Sequence, residues 1–168
     1  MHRSLLAAGM MLVLASTAEA QWRTYENERH GYRLHVPPGA EQPVLSDSGD
    51  GVTYSVEHGQ LRVHGTILMG RAFEEEARGR LDAAVAEGWR VNYENIEPRT
   101  ATFDMSGDGI IRYVHGIEIC DGAAAFFEYD YHRWDVKLLR PIFKHMAASL
   151  QATGACAGDT ARIPYPTD

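Results

Sequence analysis

Three runs of alternating apolar and polar residues, Thr100–Met105, Ile110–Cys120 and Ala123–Tyr131, are separated only by Ser106-Gly107-Asp108-Gly109 and by Asp121-Gly122. Asp-Gly between alternating runs is the strongest short-range hairpin signal, because tight hairpin turns need residues that tolerate positive φ. The three runs therefore predict an antiparallel meander. Any fold for this chain has to be built around that sheet.

The rest of the chain supplies strands before the meander and helices on either side of it. Tyr25 and Tyr32-Arg33-Leu34-His35-Val36 alternate around Glu28–Gly31 and predict a short hairpin ending at Pro37-Pro38-Gly39. Ser46–Gly51 is a polar loop, and Val52–Val56 with Leu61–Leu68 predict a second hairpin turning at His58-Gly59-Gln60. From Arg71 the period changes: Phe73, Ala77, Leu81, Ala84 and Val85 fall at helical spacing, with Glu74, Glu75 and Glu76 in the first turns and Gly88 as the stop. Trp89, Val91 and Tyr93 return to strand alternation. Near Asp135–Leu150 an apolar stripe runs from Leu138 and Leu139 to Met146, Ala147 and Leu150. Pro141 interrupts it, which predicts a kink, or a turn followed by a helix that begins at Pro141. Strands, helix, strands, helix is the order of an α+β domain. Apolar residues on both faces of the later strands point to a three-layer α/β/α sandwich with a mostly antiparallel central sheet.

Residues 1–20 read as an export signal: Met1-His2-Arg3 is basic, Leu5–Ala15 is apolar, and Ala18-Glu19-Ala20 is a small-x-small cleavage site. The predicted organisation is a signal peptide at 1–20, a single domain at 21–151 and an irregular tail at 152–168. The predicted location is the periplasm or the medium, after cleavage near Ala20. No later segment approaches the roughly 20 apolar residues a membrane span needs. A net charge of -7 argues against nucleic acid or an anionic membrane surface as partner. In an exported chain, Cys120 and Cys156 predict one disulfide closing a loop of about 37 residues, which stabilises by roughly 3 to 4 kcal/mol in the chain-entropy model.

Gly31-Tyr32-Arg33-Leu34-His35-Val36-Pro37, a glycine-punctuated hairpin followed by one long helix, Val91-Asn92-Tyr93 leading to Phe103 and Ser106-Gly107, and the closing Met146-Ala147-Ala148-Ser149-Leu150 occur in that order. In this order the chain, over roughly residues 22 to 151, resembles the PsbP-like family of sandwich domains. The resemblance implies a binding or accessory role and carries over no catalytic residue. Tyr131-His132 departs from the family's usual Tyr-Pro after the last strand, which leaves the path into the final helix open.

Register supplies the sharpest polar constellation. If Asp121-Gly122 is a two-residue turn, Cys120 pairs with Ala123, His115 faces Glu128 and Tyr113 faces Asp130, while Thr102 and Asp104 come to the same face. Those six residues are the raw material of acid/base work or of a cation site. The plainer reading is a polar sheet end satisfying its own hydrogen bonds, and a one-residue slip sends each member to the other face. No HExxH or comparable spacing supports a metal, no GxSxG supports a nucleophile, and no cofactor motif is present. Tyr129, Tyr131, His132, Arg133 and Trp134 form an aromatic and charged cluster of the kind interface hot spots favour.

The sequence thus predicts an exported, non-catalytic binding or accessory domain with a protein partner in the cell envelope. One alternative is a small hydrolase or metal-dependent enzyme using His115, Glu128 and Asp104. Another is a carrier of a small apolar ligand, with Gly65, Gly70 and Gly116 leaving room.

Overall fold

The computed structural model describes residues 21–119 and 122–154. The predicted leader, Cys120 and Cys156 with the disulfide expected of them, and the tail beyond Gly154 lie outside the described residues. In chain order the elements are β1 (Arg23–Asn27), β2 (Tyr32–Val36), β3 (Val44–Leu45), β4 (Gly51–Val56), β5 (Gly59–Ile67), α1 (Phe73–Ala86), β6 (Arg90–Ile96), β7 (Thr100–Gly107), β8 (Ile110–Ile119), β9 (Ala123–His132), a 3-10 turn (Arg133–Asp135), α2 (Val136–Ser149) and β10 (Gln151–Ala152). A seven-stranded sheet runs β3-β4-β5-β9-β8-β7-β6, and a three-stranded sheet runs β1-β2-β10. All pairings are antiparallel.

Alternation along the strands sorts the side chains into two apolar clusters, one on each face of the large sheet. Phe127, Tyr129 and Tyr131 of β9 pack with Leu61 and Val63 of β5, with Tyr32 and Leu34 of β2, and with Leu139, Phe143 and Met146 of α2. Ala124 and Phe126 of β9 pack instead with Phe103 and Met105 of β7 and with Phe73, Ala77 and Leu81 of α1. The two covers are offset. Helix α1 lies against β6, β7 and β8, whereas α2 packs on β2. The α2-side face of β7 therefore has no apolar lid, and it carries Thr100, Thr102, Asp104 and Ser106, all partly exposed.

Turn chemistry fixes the registers. Gly107 pairs with Ile110, so the turn is the two residues Asp108-Gly109, with φ of 50° and 80°. Positive φ at both central residues matches the right-handed twist of the strands. At the next corner Ile119 pairs with Ala123, which leaves three residues between the paired positions where the sequence predicts two. Gly122, at φ 70°, occupies the left-handed position that closes a three-residue hairpin.

Helix α1 ends as predicted at Gly88: its N–H donates to the Val85 carbonyl and that of Trp89 to the Ala84 carbonyl, both at 3.0 Å. This double bond pattern, with glycine in the left-handed region (φ 100°), satisfies carbonyls that the helix leaves open. Of the two paths expected at Pro141, the structure has the helix that begins before the proline: α2 starts at Val136 and Pro141 lies inside it. The proline removes the N–H that would reach the carbonyl of Lys137, and both residues lie on the exposed side, where water can donate to that carbonyl instead. A short strand follows α2. Ala152 pairs with Tyr32, and the Thr153 N–H donates to the Gly31 carbonyl at 2.7 Å, so the small sheet extends past residue 151. Among the described residues no helix is long and apolar enough to cross a membrane.

Candidate functional site

The added residue at the β8–β9 corner breaks up the predicted constellation. His115 pairs with Phe127 and Tyr113 with Tyr129, while Glu128 stands opposite Val114 and Asp130 opposite Arg112. A slip of one residue moves side chains to the other face. Glu128 and Asp130 therefore project on the α1 side, and His115, Tyr113, Thr102 and Asp104 remain together on the α2 side. The acid/base set His115, Glu128 and Asp104 does not meet in one place.

On the α1 side the two carboxylates are taken up by arginines. Arg62 reaches Glu128 at 3.1 Å and Asp130 at 3.0 Å, and Arg112 grips Asp130 through Nε at 2.7 Å and through a terminal nitrogen at 2.9 Å. These bonds to Asp130 hold the Arg112 guanidinium above its ordinary pKa against the opposing effect of burial. Arg112 also lies over the Trp89 ring, 4.4 Å from its centre. Nearby, Arg80 donates to His64 and to Glu76 at 2.9 Å, and sits 4.2 Å above the centre of the Phe126 ring. Burial, then the Arg80 charge, pushes the His64 pKa down to about 4. Every carboxylate in this band already has a cation, so it braces the sheet and leaves no free base.

On the α2 side, Nδ1 of His115 and the Thr102 hydroxyl are 2.8 Å apart, and the imidazole lies against Phe127 with ring centres 5.7 Å apart. Burial pushes His115 down to about 4 and Tyr113 up to about 12. Tyr113 is stacked on Phe143, rings 4.5 Å apart and inclined by 2°. Asp104 accepts a bond from the Asn92 side chain at 2.9 Å, beside the irregularity in β6 between Val91 and Tyr93. At neutral pH the imidazole and the phenol are both uncharged. Both can form hydrogen bonds, but neither is poised to exchange a proton near pH 7. Among the described residues no three His, Cys, Asp or Glu side chains converge as a metal site.

The glycines considered for a ligand cavity are occupied or exposed. A Cβ at Gly65 would strike the His30 ring and one at Gly116 the Phe126 ring, while Gly70 sits in an open turn at φ 81°. Close packing is what the first two serve.

The predicted aromatic cluster divides. Tyr129 and Tyr131 are 2% and 4% exposed, and each ring centre lies 5.2 Å from that of Phe143. His132, Arg133 and Trp134 face outward, with Trp134 70% exposed and its ring stacked on His132 at 4.6 Å and 10°. The strand's alternation ends here. Once the 3-10 turn begins, consecutive residues no longer point to opposite faces, so three successive side chains can all lie outside.

No family model and no curated protein sequence matches this chain. Among solved structures, cyanobacterial PsbP (CyanoP) from Synechocystis sp. PCC 6803 superposes with a TM-score of 0.59 at 13% identity, covering 86% of this chain and 99% of its own. The Saccharomyces cerevisiae Ran-binding protein Mog1p follows at 0.55 and 8% identity, covering 80% of this chain and 96% of its own. The fold is PsbP-like.

Within this PsbP-like fold, the path left open by the missing proline is settled. His132 closes β9 and the chain passes through the 3-10 turn straight into α2. Exposed residues continue along that helix as Val136, Lys137, Leu138, Arg140 and Pro141. The sequence reading missed this continuation because it ended the aromatic and charged cluster at Trp134. The i, i+4 spacing of Trp134 with Leu138 and of Arg133 with Lys137 was the available signal. A second group was also missed: Nδ1 of His35 on β2 and Nε2 of His145 on α2 lie 2.9 Å apart, with Trp22 stacked on His145.

Proposed function

We propose that this chain is an exported, non-catalytic binding domain, a three-layer PsbP-like sandwich that engages a protein partner in the cell envelope through the surface around Trp134. The observation that carries the reading is Trp134 itself. A tryptophan left 70% exposed, held flat on His132 and followed one turn later by Leu138 at 54% exposed, places a large apolar surface where the fold has no use for it. Truncation of such aromatic anchors accounts for much of the binding energy in measured interfaces. The polar groups elsewhere support the same reading, since the arginine–carboxylate band is internally satisfied and the His115 imidazole and the Tyr113 phenol are uncharged near pH 7. A further support is the Ran-binding neighbour, in which a scaffold of this shape serves protein recognition.

The test is a photo-cross-linking amino acid placed at 134 in the exporting cell, with a control at exposed Asp82 on α1. The expected outcome is one discrete protein adduct at 134 that is absent at 82, and a mature chain whose N-terminus is Gln21 by mass spectrometry. Equal labelling at both positions would reject the binding surface, and a chain retained at full length in the cytoplasm would reject export.

A further inference from the structure

Among the described residues most arginines are held by an oxygen: Arg23 and Arg29 donate to backbone carbonyls and Arg33 to the Gln151 side chain. Arg62, Arg71, Arg78, Arg80, Arg99 and Arg112 each meet a carboxylate. Arg133, Lys137 and Arg140 meet none among the described residues, and all three are exposed. Arg90, on β6, shares that state but has no cationic neighbour in sequence. Asp135, the one acid within 133–144, is turned toward His58, its carboxylate 3.8 Å from the ring nitrogen. Both lysines of the chain, Lys137 and Lys144, lie on α2.

Spacing turns these residues into a surface. Positions 133, 137, 140 and 144 recur at helical intervals of four, three and four, so they form one stripe, and Trp134 with Leu138 forms a second stripe beside it. At about 1.5 Å per residue the basic stripe is roughly 17 Å long, the reach of about five residues of extended chain. With the whole chain at a net charge of -7, everything outside this stripe is more acidic still.

We infer that the α2 surface binds an acidic, extended protein segment of about five residues that carries two or three carboxylates and one large apolar side chain. The carboxylates meet Arg133, Lys137 and Arg140, and the apolar side chain lies on Trp134 and Leu138. This rests on the binding surface proposed above and adds the partner's chemistry. A bilayer with anionic headgroups offers the same charge but spreads it under the whole molecule. There the acidic remainder of the chain is repelled within a Debye length of about 8 Å, whereas a short segment meets only the stripe.

The experiment titrates the exported chain with three labelled twelve-residue peptides, built on repeating Glu-Leu-Glu, Gln-Leu-Gln and Lys-Leu-Lys, and with vesicles containing phosphatidylglycerol. Fluorescence anisotropy at physiological salt reads the peptides and cosedimentation reads the vesicles. The Glu-Leu-Glu peptide is expected to bind with a dissociation constant on the order of tens of micromolar, and the other two at least about ten-fold more weakly. R133Q/K137Q/R140Q should weaken it about thirty-fold and W134A about ten-fold. Both variants should keep the wild-type melting temperature, because the changed side chains are exposed. Equal binding of the Glu and Gln peptides, undiminished binding by the triple variant, or cosedimentation with vesicles without peptide binding would each overturn the inference. If the cross-link at 134 survives in the triple variant, the binding surface stands and the acidic partner falls. If there is no cross-link at 134 in any variant, the binding surface itself falls.

Discussion

Nδ1 of His35 and Nε2 of His145 lie 2.9 Å apart, joining the small sheet to α2, and the Trp22 ring stacks on His145 at 3.8 Å. A hydrogen bond between two imidazoles needs one lone pair, so the pair holds together only while at least one ring is neutral. Burial, and then the charge of His35, lowers the pKa of His145 from its ordinary value. A histidine whose pKa is depressed by folding stabilises above about pH 6.5, and that contribution is lost as pH falls below it. Trp22 emission should therefore change between pH 8 and pH 5. The change should vanish in W22F and flatten in H145A, while a pH-independent spectrum in the wild type would contradict the pairing.

His64 and His115 extend the same argument to the large sheet. Both are held to about 4, His64 by burial and then by Arg80, and His115 by burial. Each binds its proton more readily in the unfolded chain, so each withdraws stability as pH drops from about 6.5 toward 4, by at most about 3 kcal/mol. Urea denaturation at pH 7 and at pH 4.5 should show a stability loss about 2 kcal/mol smaller in H115Q than in the wild type. An unchanged difference would mean that His115 is not held neutral.

Gly116 pairs with Phe126, whose ring occupies the space a side chain would need. G116A should destabilise by about 1–3 kcal/mol through overpacking, measured as a lower urea midpoint. Truncating the ring in G116A/F126L should recover part of that loss. Additive losses in the double variant would show that the two positions are independent.

Asp130 accepts bonds from both Arg62 and Arg112. Its carboxylate is only about one-fifth exposed, so D130N, which keeps the shape and removes the charge, should cost about 2 kcal/mol and leave two guanidinium groups short of a partner. The loss should shrink in high salt, where counter-ions take over. A salt-independent effect would point to packing instead.

Trp134 and Phe143 separate binding from folding. W134A removes a side chain 70% exposed and should change stability by less than about 0.5 kcal/mol. F143A opens the core beneath Tyr113, Tyr129 and Tyr131 and should cost about 3–5 kcal/mol. Equal losses in thermal melts would place Trp134 in the core.

Local chemistry accounts for what could be read from the residues alone. The period of two in β7 to β9, the period of 3.6 in α1 and the stop at Gly88 depend on neighbours within a few positions, and each appears where its residues predict. The PsbP-like order of elements follows from the same short-range signals. Which face each polar residue occupies did not follow. One residue at the β8–β9 corner decides whether Glu128 meets His115 or Arg62, because a strand's side chains alternate and Asp121-Gly122 suits a two-residue or a three-residue corner equally well. Where α2 begins depended likewise on whether the carbonyl opposite Pro141 faces water, which is a property of the packed molecule. The stripe of Arg133, Lys137 and Arg140 became a surface only once the 3-10 turn set Trp134 outside and Asp135 turned to His58, contacts between positions far apart in the chain.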